Sequence, residues 1–128
     1  MKRSFFIAGV QFRPKEDIKS AAEELKAGGS LILEPEPTNK FDPNAVKIVY
    51  RADEERRKED GWEDIFLGYV PKKYSSEVSA LLGIDAPVQC VVDEVNPSAK
   101  TYEMFKVTVS LPIDEEDDGP DMNEEGDN

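Results

Sequence analysis

Residues 34–48, EPEPTNKFDPNAVKI, place the Asp42 carboxylate in a proline- and asparagine-rich loop that cannot pair as a strand but leads directly into one. Pro35 and Pro37 remove ladder donors and stiffen the chain. Asn39 and Asn44 can bond their own backbone in turns. Asp42 precedes Pro43 and is therefore held extended. A loop stiffened this way can present one hydrogen-bond acceptor at little ordering cost. The plainer reading is that Asp42 and Asn44 cap the turn into AVKIVY, and the two roles are compatible. Lys72 and Lys73 follow Pro71 in the first turn of a helix, where the dipole favours anions. With the helix amides they suit a phosphate; otherwise they are a solvated pair. Tyr69, in GYVP, is either a half-buried strand aromatic or a platform for a stacked base. Glu34 and Glu36 flank a proline like paired acids, but no base or nucleophile accompanies them, so catalysis is not expected.

The wider inventory points the same way. The chain has no histidine and one cysteine, Cys90, which alternates with Val88 and Val92 as a core residue does. No P-loop, CxxC pair, Ser-His-Asp set or calcium loop is present. We expect no enzyme activity, no metal and no cofactor.

The 128 residues amount to one domain, large enough for its own core. The net charge of −12 is unevenly distributed. Residues 114–128 hold nine acids and no bases, and residues 51–64, RADEERRKEDGWED, hold seven acids and four bases. The rest of the chain has 12 of each, so a near-neutral body carries an acidic tail and an acidic insert. That average argues against nonspecific binding of duplex nucleic acid and is silent about a local site. The opening MKRSFFIAGVQFRPK mimics a secretory signal, but its apolar run is short and no small-residue cleavage site follows. No segment approaches a membrane span. The expected protein is soluble and intracellular, cytoplasmic if bacterial.

The elements that must position these residues read as follows. SFFIAGVQF is a strand, with Gly9 marking a bulge or close approach. PKEDIKSAAEELKAGG is a helix whose apolar stripe is Ile18, Ala21, Ala22 and Leu25, stopped by Gly28 and Gly29. SLILEP and AVKIVY are strands on either side of the Asp42 loop. Residues 51–64 have no apolar period beyond Trp62 and read as a charged hairpin insert. IFLGYV is a strand, and KKYSSEVSALLG a helix with Tyr74, Val78, Leu81 and Leu82 on one face, ended by Gly83. APVQCVVDEV is a strand. TYEMFKVTVSL is an alternating strand, with Phe105, Val107, Val109 and Leu111 on one side and Met104, Lys106, Thr108 and Ser110 on the other. The order β-α-β-β-β-α-β-β predicts a mainly β fold: a small six-stranded barrel of the OB/SH3-like kind, capped by two short helices.

Several segments together resemble the HIRAN domain family. FFIAGVQF, LILEPEPTNKFDPNAVKI, LGYVPKKYSSEVSALL and the last two strands match its pattern: a V-G-hydrophobic strand, E-P-x-N-x-[FY]-D-x-N-A-hydrophobic-x-V, G-Y-[VIL]-P, and a helix ending in two leucines. The match spans roughly residues 5–111, within a domain taken as 1–113. The resemblance implies a non-catalytic module that receives the 3′ end of single-stranded DNA. Bases stack on aromatics, and an acid at the position of Asp42 accepts from the terminal hydroxyl. It also implies that Asn39 and Phe41 frame that end with Asp42. Gln11, Phe12 and Arg13 would lie on a strand segment contacting bases, and Tyr69 and Lys72 near the nucleotide and its phosphate, with Lys73 a further candidate from its place in the same helical turn. This chain has Gln11 where the helicase member of the family has an arginine, and Phe12, Arg13 and Phe41 where that member has tyrosines. The phenylalanines keep a stacking face without a hydroxyl, and Arg13 can stack or pair with phosphate.

A second function fits the acidic tail and neutral body: a protein-interaction module whose groove or sheet edge binds a partner, such as a helicase or nuclease. The tail itself reads as disordered, with no apolar anchor beyond Met122. Truncation after Ile113 is expected to change thermal stability by no more than about 0.5 kcal/mol in a melting experiment. A larger loss would mean that the tail packs.

Overall fold

The computed structural model describes residues 1–51 and 64–112. Most of the charged insert and the acidic tail from residue 113 onward lie outside the described residues. Six strands form one antiparallel sheet: β1 (Lys2–Phe6), β2 (Ser30–Pro35), β3 (Val46–Tyr50), β4 (Ile65–Tyr69), β5 (Gln89–Val95) and β6 (Phe105–Ser110). Their spatial order is β1-β6-β5-β2-β3-β4. The two helices are α1 (Lys15–Glu24) and α2 (Lys72–Gly83). The predicted element order and fold class therefore hold: the sheet curls into a half-barrel. Its two edges meet where Ala8, just past β1, pairs with Tyr69 at the end of β4, through backbone hydrogen bonds of 2.9 and 2.8 Å. No helix among the described residues is long and apolar enough to cross a membrane.

The core fills the inside of the curl. Phe105, Val107, Val109 and Leu111 are buried along β6 as the alternation requires. Ile18, Ala21 and Ala22 bury the predicted stripe of α1, with Leu25 buried just past its end, and Val78 and Leu81 bury that of α2, with Tyr74 and Leu82 packed at its margin. Cys90 is 2% exposed, and burial pushes its thiol up to about 12, so it stays protonated and inert. At the base of the insert, Arg51 and Asp64 pair at 2.8 Å, next to the last β3–β4 pairing of Tyr50 with Ile65.

Three local expectations are corrected. The first strand ends at Phe6, and Val10–Phe12 form a 3-10 turn instead of continuing it, because Gly9 adopts φ 77° and redirects the chain. Helix α1 ends at Glu24, before the glycines. Gly28, at φ 92°, belongs to the following turn and donates its N–H to Val92 O at 2.8 Å. Gly83 is the last residue of α2, as the sequence predicts, and a left-handed residue follows it at Asp85, φ 57°. Met104 is buried, not outward, because Thr101–Glu103 form a second 3-10 turn and β6 starts only at Phe105.

Candidate nucleic-acid interface

The edge-to-edge contact of Ala8 with Tyr69 forms the floor of a cleft of about 360 Å³. Three segments wall it: the turn after Gly9, the loop between β2 and β3, and the end of β4 running into α2. Phe12, Arg13, Asn39, Phe41, Asp42, Tyr69 and Lys72 all line it. Seven of the nine candidate site residues thus converge from distant positions. Gln11 does not: it faces a neighbouring groove beside α1. Nor does Lys73, whose Nζ lies 5.4 Å from the centroid of the Tyr74 ring. Gln11, Phe12 and Arg13 sit on or after the 3-10 turn, not on a strand. Val10 is buried and anchors the turn, leaving Phe12 79% exposed.

The loop is built around two side chains that bond its own backbone. Asn39 Oδ1 accepts from the amides of Phe41 at 2.8 Å and Asp42 at 3.0 Å. Asp42 Oδ1 accepts from the Asn44 amide at 2.9 Å. The turn-capping reading of Asp42 is therefore correct as far as it goes. Its other oxygen, Oδ2, accepts from Ser75 Oγ at 2.8 Å, and Ser75 is buried on α2. The Ser75 hydroxyl, then the Asn44 amide, and last the nearby Lys72 charge hold the Asp42 carboxyl below its ordinary value. The carboxylate is ionised, fixed at both oxygens and still open to the cleft. Phe41 beside it is 90% exposed. An aromatic ring left in water on a rigid loop has no role in the core.

A second network fixes the opposite wall. Glu36 Oε1 accepts from Tyr69 Oη and from Asn39 Nδ2, each at 2.8 Å. These two bonds, with Lys47 further off at 3.8 Å, hold Glu36 below the usual carboxylate range. Burial and the adjacent Glu36 push the Tyr69 phenol up, so it remains a donor. Because Asn39 gives its N–H to Glu36, its oxygen must face the loop amides, and the orientation of the loop follows. The Arg13 guanidinium lies 4.0 Å from the Phe66 ring centroid and donates Nε–H to Phe66 O at 3.2 Å. Lys47 Nζ is 4.8 Å from the same ring, and Phe66 meets Tyr69 edge to face at 5.2 Å.

Sequence reading missed Phe66, Ser75, and Glu36 in its role as a hub. Period-two alternation puts Phe66 and Tyr69 on opposite faces. A bulge in the β3–β4 pairing, where Ile48 faces Gly68 but Val49 faces Phe66, brings them to the same side. The usable signal was Gly68. A Cβ there would lie 2.3 Å from Ala8 O, so only glycine allows the two edges to meet.

A curled antiparallel half-barrel with an aromatic, cation-flanked cleft at its seam defines a small OB-like binding module. The HIRAN domain family matches residues 3–112, and the chain belongs to it. HIRAN domains bind DNA. No curated protein matches the sequence significantly. The fold is similar to the crystal structure of the HIRAN domain of human HLTF, at 12% identity and a TM-score of 0.58, over 86% of this chain and 74% of that one. It is also similar to the crystal structure of a protein from Lactobacillus plantarum, at 14% identity and a TM-score of 0.62, over 85% of this chain and 95% of that one.

Proposed function

We propose that the cleft receives the 3′ end of a single DNA strand, without catalysing any reaction on it. The supporting observation is the Asp42 carboxylate, pinned by Ser75 and Asn44 among Phe12, Phe41 and Tyr69, with Arg13 and Lys72 at the margins. In this reading Asp42 accepts a hydrogen bond from the terminal hydroxyl. Phe12 and Phe41 offer stacking faces, and Arg13 and Lys72 meet phosphates. Replacing the hydroxyl by a phosphate would set an anion against an anion.

Fluorescence polarisation with labelled single strands at two salt concentrations tests this. The 3′-hydroxyl strand should bind more tightly than its 3′-phosphate counterpart. Asp42→Ala should weaken the hydroxyl complex about 10- to 100-fold, as loss of a hydrogen bond to a charged group does, and should erase the difference between the two ends. Because the Asp42 carboxyl sits below its ordinary value, the end preference should survive mild acidification. It should disappear only when the pH falls below the normal carboxylate range. Binding without end preference would remove the role given to Asp42.

A further inference from the structure

A larger groove, of about 660 Å³, lies beside the cleft. Its floor is apolar: Val10 from the first 3-10 turn, Ile18 and Ala22 from α1, and Met104 between the second 3-10 turn and β6. Arg13 lines both this groove and the cleft, so the two form one continuous depression joined at that side chain. Helix α1 presents Lys15, Ile18, Lys19, Ala22 and Glu23 to it, the spacing of one helical face. Its acids Glu16 and Asp17 do not line the groove, and Glu23 enters only after two lysines. Neither Lys15 nor Lys19 has an ion-pair partner among the described residues. Both side chains are exposed at the rim of this apolar trough, where no carboxylate among the described residues holds them and a phosphate could.

We infer that the groove carries the nucleotides preceding the terminal ones, so that a single strand anchored at Asp42 passes Arg13 and continues along α1. This rests on the 3′-end reading and extends it. Arg13, Lys15 and Lys19 supply a row of positive charge for successive phosphates, and the floor of Val10, Ile18, Ala22 and Met104 supplies the surface on which bases lie. Gln11, which the cleft leaves out, lines this groove. Its amide offers a donor and an acceptor to a base edge.

The test is polarisation with 5′-labelled oligothymidylates of about 4, 8 and 12 nucleotides, the site sizes usual for such barrels, using the full chain and a Lys15→Ala/Lys19→Ala variant. Both lysines are exposed, and alanine is a good helix former, so the variant should fold. The wild type should tighten about tenfold from the shortest strand to the plateau. The variant should bind the shortest strand normally, keep its preference for a 3′-hydroxyl, and lose most of that gain. Its salt dependence on the long strand should fall by about 1.4 in log-log slope, two phosphates' worth for a single strand. A gain with length that the variant retains, or no gain at all, overturns the path along α1. Loss of the hydroxyl preference with the length effect intact overturns the Asp42 reading and leaves the groove standing. Failure to bind any strand at low salt overturns both.

Discussion

Val107→Asp is expected to unfold the domain, whereas Ser110→Asp, three residues on in the same strand, should leave it folded. Val107 is 0% exposed and sits between Phe5 of β1 and Val92 of β5 in the middle of the sheet. A carboxylate placed there meets only apolar side chains. Burying it unpaired costs several kcal/mol, against a total stability of about 5–15 kcal/mol for a domain of this size. Ser110 is partly exposed and stands between Lys2 and Gln89 on its neighbours. An acid there faces a cation and an amide. Thr108 is a poorer control, although it also points outward. Its hydroxyl bonds Asp93 at 2.6 Å and lies 2.7 Å from Ser4 Oγ, so an aspartate would bring two carboxylates together. Far-UV circular dichroism and a urea titration distinguish the outcomes. Damage from Ser110→Asp with Val107→Asp tolerated would reverse the two faces of β6.

The face of β6 was legible because alternation over six residues is a strong local signal that tertiary contacts did not override. The stripes of α1 and α2 were legible for the same reason, at the helical period. What the sequence hid was every departure from regular period. Gly9 turned a supposed strand into a 3-10 turn, so Phe12 points into the cleft from a corner and not from a ladder. Met104 was assigned by parity to the wrong side because Thr101–Glu103 form a 3-10 turn and β6 begins at Phe105, four residues later than the alternation suggests. The bulge beside Gly68 moved Tyr69 to the face of Phe66, a change of one residue whose single mark in the sequence is that glycine.

The candidate site divides in a similar way. The loop containing Asn39 and Asp42 was readable, because prolines and asparagines act locally on their own backbone. Ser75 as the partner of Asp42, and Glu36 as the partner of Tyr69, each lie 33 residues away in sequence, and only the closed half-barrel brings them together. The two lysines after Pro71 looked equivalent. The helix separates them by about 100°, sending Lys72 into the cleft and Lys73 onto Tyr74.

Gly68 connects the stability of the fold to the site, and Gly68→Ala should damage both. The added Cβ would lie 2.3 Å from Ala8 O and 2.7 Å from Ile7 Cγ2. The first contact is with backbone, which no rotamer change relieves. Either the Ala8–Tyr69 pairing opens or the β4 bulge straightens. We expect a loss of about 2–4 kcal/mol, in the range for overpacking combined with backbone displacement, and a melting temperature lower by about 10 °C or more. Gly83→Ala is the matched control. Nothing lies within 4 Å of a Cβ there, it has no left-handed φ, and alanine favours the helix it ends, so stability should hold or rise slightly. The binding consequence follows from the same geometry. Opening the seam would pull Tyr69 away from Glu36, release Asn39 from its fixed orientation, and loosen the amides of Phe41 and Asp42 that Asn39 holds. Gly68→Ala protein that remains folded at low temperature should therefore lose its distinction between 3′-hydroxyl and 3′-phosphate strands, although every side chain in contact with the strand is unchanged. A Gly68→Ala protein as stable as the wild type would show that the two edges of the half-barrel do not close as described. A destabilised protein that keeps full end preference would show that the Asp42 loop is held by Ser75 and Asn44 alone, independently of the seam.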